Sequence, residues 1–322
     1  MLINIFLIVF GFILLVIGAD LLIKGSSNIA IKFHIPEILI GLTIVAIGTS
    51  APELIITISS ALKGNNNLII GNVIGSNFCN LLLILGLMAI IRPVSIDKDT
   101  KNLHLPIAIL APLIIFIMCL GIFNQAPLVI TRIEGILLFI LFLIYLAYPI
   151  FLEIKDIIAS YKENRGKNNT NSNIALSILY FIIGIVLLKF GSDFVVDCSV
   201  KIAELFNLSE GIIGSTIVAI GTASPELITS IVAIMKKDTD IAIGNLVGSC
   251  VLNILLILGI SAIIAPLNFS VEFIINLILL IYSTLIVWTL NFIGKKNTIT
   301  RPKGILLLII FGFYIYTLFS PI

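Results

Sequence analysis

Charge is what this chain has least of. Only 11% of its 322 residues are Asp, Glu, Lys or Arg, and 59% are hydrophobic. A soluble domain carries about 25% charged residues, so the shortage excludes a soluble globular protein and indicates an integral membrane protein. Histidine is almost missing as well: His34 and His104 are the two copies, both at loops or span ends. With so little histidine, no nucleophile–His pair is placed for catalysis and no zinc ligand set exists. The four cysteines (Cys79, Cys119, Cys198, Cys250) contain no C-x-x-C pair and sit in apolar sequence, where packing is their expected role. The net charge of +2 comes from basic residues lying between apolar runs, which offers nothing to nucleic acid. An enzyme, a resident cofactor and a nucleic-acid partner are thus not expected.

What the chain does have is long apolar runs. They suit helical spans of roughly 20 residues and are too continuous for the alternation of a barrel. The expected fold is all-α and polytopic, with ten transmembrane helices at 3–23, 38–62, 66–91, 104–123, 128–152, 174–193, 211–235, 241–265, 272–294 and 304–320. The first run lacks a positive leader region and a small-residue cleavage site, and it has an internal counterpart near 174–193, so it reads as a span. Residues 153–173, including KENRGKNNTNSN, form the one long polar connection and read as a solvated hinge. The expected organisation is therefore a first five-helix repeat at 1–152, a loop at 153–173 and a second repeat at 174–322.

Lys and Arg set the orientation. Connections after odd-numbered spans carry 15 of the 19 basic residues, and the opposite face carries Lys63, Arg132, Lys189 and Lys201. The positive-inside rule places both termini outside the cell and the 153–173 loop in the cytoplasm.

The most informative feature is an internal repeat. Residues 41–80 and 214–253 align without a gap at an offset of 173, and 20 of the 40 positions are identical. The same offset pairs Gly18 and Asp20 with Gly191 and Asp193, and Pro93 with Pro266. Each half has an odd number of spans, so the second enters the membrane from the opposite side. Inverted repeats with interrupted helices near the midplane are the build of secondary transporters.

Polar residues are concentrated inside the repeat. Glu53 and Glu226 are the ionisable groups expected deepest in the membrane, where a charge costs on the order of 2.5–3.5 kcal/mol. No Lys or Arg lies at that depth, so a bound cation is the economical partner. Asp20, Asp193 and Lys189 fall near expected span ends, where they reach the interface or pair with one another. Pro52 and Pro225 break the helix beside each glutamate and are expected to free carbonyls such as those of Ala46 and Ala219. Thr49 precedes Glu53 by four residues, as Thr222 precedes Glu226, which predicts a shared helix face for each pair. In the following span Asn72, Ser76 and Asn80 recur every four residues, as do Asn245, Ser249 and Asn253, making a polar stripe. Carboxylate, hydroxyl, amide and carbonyl oxygens without His or Cys suit Ca²⁺ or Na⁺ better than zinc or copper. Gly71 and Gly75 read as a helix-packing face.

These motifs resemble the two α-repeats of the calcium/cation antiporter superfamily, particularly its sodium/calcium exchanger branch of prokaryotic type. The matching text is G-T-S-A-P-E with G-N-V-I-G-S-N in the first half, and G-T-A-S-P-E with G-N-L-V-G-S-C in the second. The resemblance implies electrogenic exchange of Na⁺ for Ca²⁺ across the cell membrane by alternating access, with Ca²⁺ driven outward by the Na⁺ gradient and a monomer as the working unit. It implies that Glu53 and Glu226 are shared by Ca²⁺ and flanking Na⁺ sites. Thr49, Ser50, Ser76, Thr222 and Ser249, with the carbonyls of Ala46 and Ala219, would complete the oxygen shell. Asn80 matches the family's central amide, and Asn253 is its equivalent in the second repeat. The first and sixth spans would act as a sliding gate. Two positions depart from the pattern: Ala223 replaces the hydroxyl of Ser50, and Asn253 stands where many relatives, including K⁺-dependent exchangers, carry Asp. Two carboxylates neutralise one Ca²⁺, while three Na⁺ would leave +1, an arithmetic that argues against an added K⁺. Proton-coupled relatives usually carry an acidic residue where this chain has Gly75-Ser76, which makes H⁺ coupling the second reading. A passive channel is the further alternative, but channels usually build pores from symmetric rings of subunits, whereas this duplication lies within one chain.

Overall fold

The computed structural model describes residues 2–33, 35–121, 127–163, 174–205 and 218–319. In chain order the helices are α1 (Leu2–Phe33), α2 (Glu37–Thr49), α3 (Ala51–Leu62), α4 (Asn66–Ile91), α5 (Thr100–Cys119), α6 (Arg132–Glu163), α7 (Ile174–Leu205), α8 (Ala219–Thr222), α9 (Ser224–Lys236), α10 (Thr239–Ile264), α11 (Val271–Leu290) and α12 (Arg301–Phe319). Among the described residues eight helices are long and apolar enough to cross a membrane, and the bent pair α2–α3 adds a ninth. The protein is a multi-pass, all-helical membrane protein. The start of the span expected at 211–235, residues 164–173 of the expected loop and His34 lie outside the described residues, while residues 153–163, expected as loop, continue α6.

Three helices exceed their expected lengths, and one of them, α6, runs on to Glu163, past the expected end at 152 and into the expected loop. α1 and α7 each run for 32 residues instead of about twenty. At 1.5 Å per residue that is about 48 Å, well beyond a hydrocarbon core of roughly 30 Å. Hydropathy marks where the membrane ends, and nothing in residues 24–33 or 194–205 breaks the helix there. Asp20 and Asp193 consequently lie within helices and not at their ends.

α1 and α7 run antiparallel in backbone contact. A Cβ on Gly11 would stand 2.8 Å from the carbonyl oxygen of Gly191, and one on Gly184 would stand 2.7 Å from the backbone nitrogen of Leu22. Only glycine allows that approach. The seam is itself repeated, because the 173-residue offset carries Gly11 onto Gly184 and Gly18 onto Gly191.

The centre of the molecule is α4 and α10, whose most apolar 18-residue stretches are 78% and 83% buried, against 22% for α1 and α7. Asn65 starts α4 by accepting a hydrogen bond from the Leu68 backbone (3.2 Å). Both central helices contain a π-helical turn, at Cys79–Ile84 and Asn253–Ile257. Such turns insert an extra residue into the helical ladder and are frequent at functional sites. α10 packs tightly on α2: a Cβ on Gly244 or Gly248 would stand 2.6 Å from the carbonyl oxygen of Ile38 or Leu42. The repeat equivalents of Gly71 and Gly75 thus form a packing face. Two short antiparallel ladders tie the halves together outside the helices, pairing Val94 with Ile299 and Ile130 with Leu267.

Candidate functional site

Each repeat breaks its helix beside its glutamate. In the first, α2 ends at Thr49, Ser50 takes φ −82° and ψ 9°, and α3 starts at Ala51 with Pro52 in its first turn. The two segments meet at a bend of 48°. In the second, Ala223 takes φ −76° and ψ 1° between α8 and α9, with Pro225 in the first turn. Proline at that position has no helical partner to lose, so it permits a helix to restart where another has just stopped. Glu53 and Glu226 then fall in first turns, where the positive end of the helix dipole favours a carboxylate.

The two glutamates are each 1% exposed and close enough to interact electrostatically. Thr49, Ser50, Ser76, Asn80, Thr222, Ser249 and Asn253 are all buried with them. Ser50 Oγ donates to Glu226 Oε1 (2.7 Å) and lies 3.1 Å from Ser249 Oγ, which itself is 3.5 Å from Glu226 Oε1. Glu226 therefore gathers hydroxyls from both repeats. Its equivalent does not. Ala223 supplies no hydroxyl, and Glu53 Oε2 and Ser76 Oγ have no hydrogen-bond partner among the described residues.

The threonines face across the repeats. Neither threonine hydrogen-bonds the glutamate of its own helix, and each reaches an asparagine of the other repeat. The break at Ser50 and Ala223 changes the helix direction, so spacing by four no longer defines a common face. Thr49 Oγ1 donates to Asn245 Oδ1 (2.8 Å), and Thr222 Oγ1 donates to Asn72 Oδ1 (2.9 Å). The 173-residue offset carries one bond onto the other.

The carbonyls also differ from expectation. Those of Ala46 and Ala219 each accept a backbone N–H from the residue four positions on, Ser50 (3.0 Å) and Ala223 (3.1 Å). Each keeps a second lone pair, shared with a threonine hydroxyl at 3.3 and 3.2 Å. The carbonyls that lose a helical donor to proline are four residues before it, Gly48 and Gly221. Gly221 accepts instead from Ser224 Oγ at 2.5 Å and from Ser192 Oγ at 3.1 Å.

Asn80 and Asn253 stand at the two π turns. Neither amide oxygen nor amide nitrogen of either residue has a hydrogen-bond partner among the described residues, although both side chains are buried. A buried amide left this way costs about 1–3 kcal/mol, so both side chains retain their full capacity to bind a partner. Among the described residues no group of three or more His, Cys, Asp or Glu could hold a metal. The site consists of two carboxylates surrounded by neutral oxygens.

The sequence profile of the sodium/calcium exchanger protein family matches residues 3–151 and 176–320. The chain belongs to the sodium/calcium exchanger family. Sodium/calcium exchanger MaX1 of Methanosarcina acetivorans is 29% identical over 269 residues, 72% of this chain and 74% of that protein. An uncharacterised membrane protein of Methanocaldococcus jannaschii is 38% identical over 223 residues, 69% of each chain. A solved structure of the sodium-calcium exchanger NCX_Mj, soaked with 2.5 mM Na⁺ and 0.1 mM Ca²⁺, superposes with a TM-score of 0.81 at 30% identity, covering 99% of both chains. This exchanger is therefore a membrane transporter and not an enzyme.

Asn72 and Asn245, read from the sequence only as members of the polar stripes, bond the threonines beside the glutamates. Nothing in the sequence says that a threonine from the other half would find them.

Proposed function

We propose that this exchanger moves Na⁺ against Ca²⁺ by alternating access, using one cation site shared between its halves. The supporting observation is the mutual arrangement of the two repeats: each supplies a buried glutamate, Glu226 accepts from Ser50 of the opposite repeat, and each repeat's threonine bonds an asparagine of the other. Two carboxylates match one Ca²⁺ in charge, and the hydroxyl, amide and carbonyl oxygens suit hard cations. The ions are cargo, so no cofactor is needed.

Under this reading Glu53 and Glu226 are the shared ligands. Thr49, Ser50, Ser76, Thr222 and Ser249 ligate through hydroxyls, Asn80 and Asn253 through amide oxygens, and Ala46 and Ala219 through their remaining carbonyl lone pairs. The chain has ten spans in two inverted halves, 1–152 and 174–322, with both termini outside and the connection between the halves, including the end of α6, inside. One chain holds the complete site, so the monomer is the working unit. Ca²⁺ leaves the cell as Na⁺ enters.

The test is Ca²⁺ flux in reconstituted vesicles with Na⁺, K⁺ and H⁺ gradients imposed separately. Uptake of radiolabelled Ca²⁺ into Na⁺-loaded vesicles is expected, with no drive from K⁺ or H⁺. Flux indifferent to every gradient would make the protein a passive pathway and sink the coupling claim.

A further inference from the structure

We infer that Asn72 and Asn245 are positioning residues for the cation site, each fixing the hydroxyl of a threonine from the other repeat. A hydroxyl has one proton and two lone pairs. To ligate a cation it must turn a lone pair inward and place its proton elsewhere. For Thr49 the competing acceptor is the Ala46 carbonyl at 3.3 Å. The Asn245 amide oxygen, at 2.8 Å, is the shorter outlet and takes the proton away from it. Asn245 is in turn held by donating to Ser230 Oγ (3.3 Å). Asn72 accepts from Thr222 in the same way at 2.9 Å, with its own amide nitrogen unpartnered among the described residues. Both asparagines are fully buried on the central helices α4 and α10. Partners that orient a metal's ligands in this way typically change affinity by about 10- to 100-fold when removed.

This inference rests on the cation-site reading, and one set of binding measurements separates the two. Equilibrium binding of radiolabelled Ca²⁺ to the purified wild type tests the reading itself. Asn245→Leu and Asn72→Leu keep the volume and remove the acceptor, and each is expected to weaken Ca²⁺ binding about 10-fold or more. Asn245→Asp keeps the acceptor and is expected to retain binding. In a Thr49→Val background Asn245→Leu should add no further loss, whereas Asn72→Leu should still do so. Wild-type affinity in both Leu variants, or an undiminished effect of Asn245→Leu without the Thr49 hydroxyl, would overturn the assignment. Should the Leu variants fail to fold, Asn245→Ala compared with Asn245→Asp carries the same test.

A separate observation concerns the long helices. Lys236, at the end of α9, pairs with Asp20 of α1 (Nζ to Oδ1, 2.6 Å). The repeat offset carries Lys236 onto Lys63 and Asp20 onto Asp193, yet that equivalent pair is not formed. Asp193 is held by Lys189 on its own helix, and the exposed Lys63 makes no ion pair among the described residues. The geometry points to two alternative latches: Asp20–Lys236 closes one face, and Asp193–Lys63 replaces it when α1 and α7 shift together. Half-exposed ion pairs are weak, as a contact broken in every cycle must be. This rests on alternating access.

Oxidation of an Asp20→Cys, Lys236→Cys protein, and separately of an Asp193→Cys, Lys63→Cys protein, should each stop vesicle exchange, with reduction restoring it. A protein with all four substitutions should form one disulfide or the other, never both. Absence of any 63–193 disulfide during turnover, or both disulfides in one molecule, would refute the latch pair. Flux unaffected by either disulfide would instead count against alternating access itself. Exchanged charges offer a second check: Lys63→Asp with Asp193→Lys should restore rates that either single change lowers.

Discussion

At the residue scale the site is a pair of carboxylates in unequal company. Glu53→Gln and Glu226→Gln each remove half of the site's formal charge, and each should reduce Na⁺-driven Ca²⁺ uptake at least 100-fold, by the order of about 3 kcal/mol that a buried charged hydrogen-bonded group carries. Flux within a few fold of wild type in either variant would exclude that glutamate as a ligand. The inequality is testable too. Ser50 serves both Glu226 and Ser249, and Ala223 gives Glu53 and Ser76 nothing equivalent. Ala223→Ser should supply the missing hydroxyl and tighten apparent Na⁺ affinity several-fold, while Ser50→Ala should weaken it; both follow from a Na⁺ titration of Ca²⁺ uptake, and no change in either would show the hydroxyl to be irrelevant. The glutamates were legible in the sequence because no other ionisable groups were expected as deep in apolar sequence. Their true neighbours were not. Helical spacing assigns Thr49 to Glu53, but a helix broken between them turns the threonine away, and only the assembled halves reveal Asn245 as its acceptor.

At the scale of elements, the breaks and the glycine seam are what place the site. Proline in the first turn of α3 and α9 announced the breaks in advance, since it cannot sit inside a continuing helix without loss. The reach of α1 and α7 was hidden, because hydropathy falls at residues 24–33 while helix formation does not. Their seam was also unread: glycines seven apart are unremarkable until a second helix lies against them. Gly184→Val would drive a side chain to within 2.7 Å of the Leu22 backbone, where neither chain can give way. Overpacking of this kind costs about 1–3 kcal/mol, so thermal unfolding in detergent should show a clearly lowered midpoint. Gly312→Val is the control, since a Cβ there meets nothing within 4 Å. Equal stability of the two variants would mean that the seam is not a tight contact.

At the scale of the whole molecule, the repeat was the part of the fold most open to reading, since it needs only the chain compared with itself. It supplied the matched helices and the polar stripes, and the family match and the NCX_Mj superposition agree with a transporter of this class. The repeat also implies that neither half is sufficient. Ser50 of the first half bonds Glu226 of the second, and each threonine bonds an asparagine of the other half, so under the proposed reading the cation belongs to the molecule and not to a repeat. Equilibrium binding of radiolabelled Ca²⁺ to the purified protein measures this most directly. One Ca²⁺ per chain is expected, displaced by Na⁺ and lost in full from Glu53→Gln and from Glu226→Gln alike. Two Ca²⁺ per chain, with each single substitution removing only one of them, would contradict a shared site.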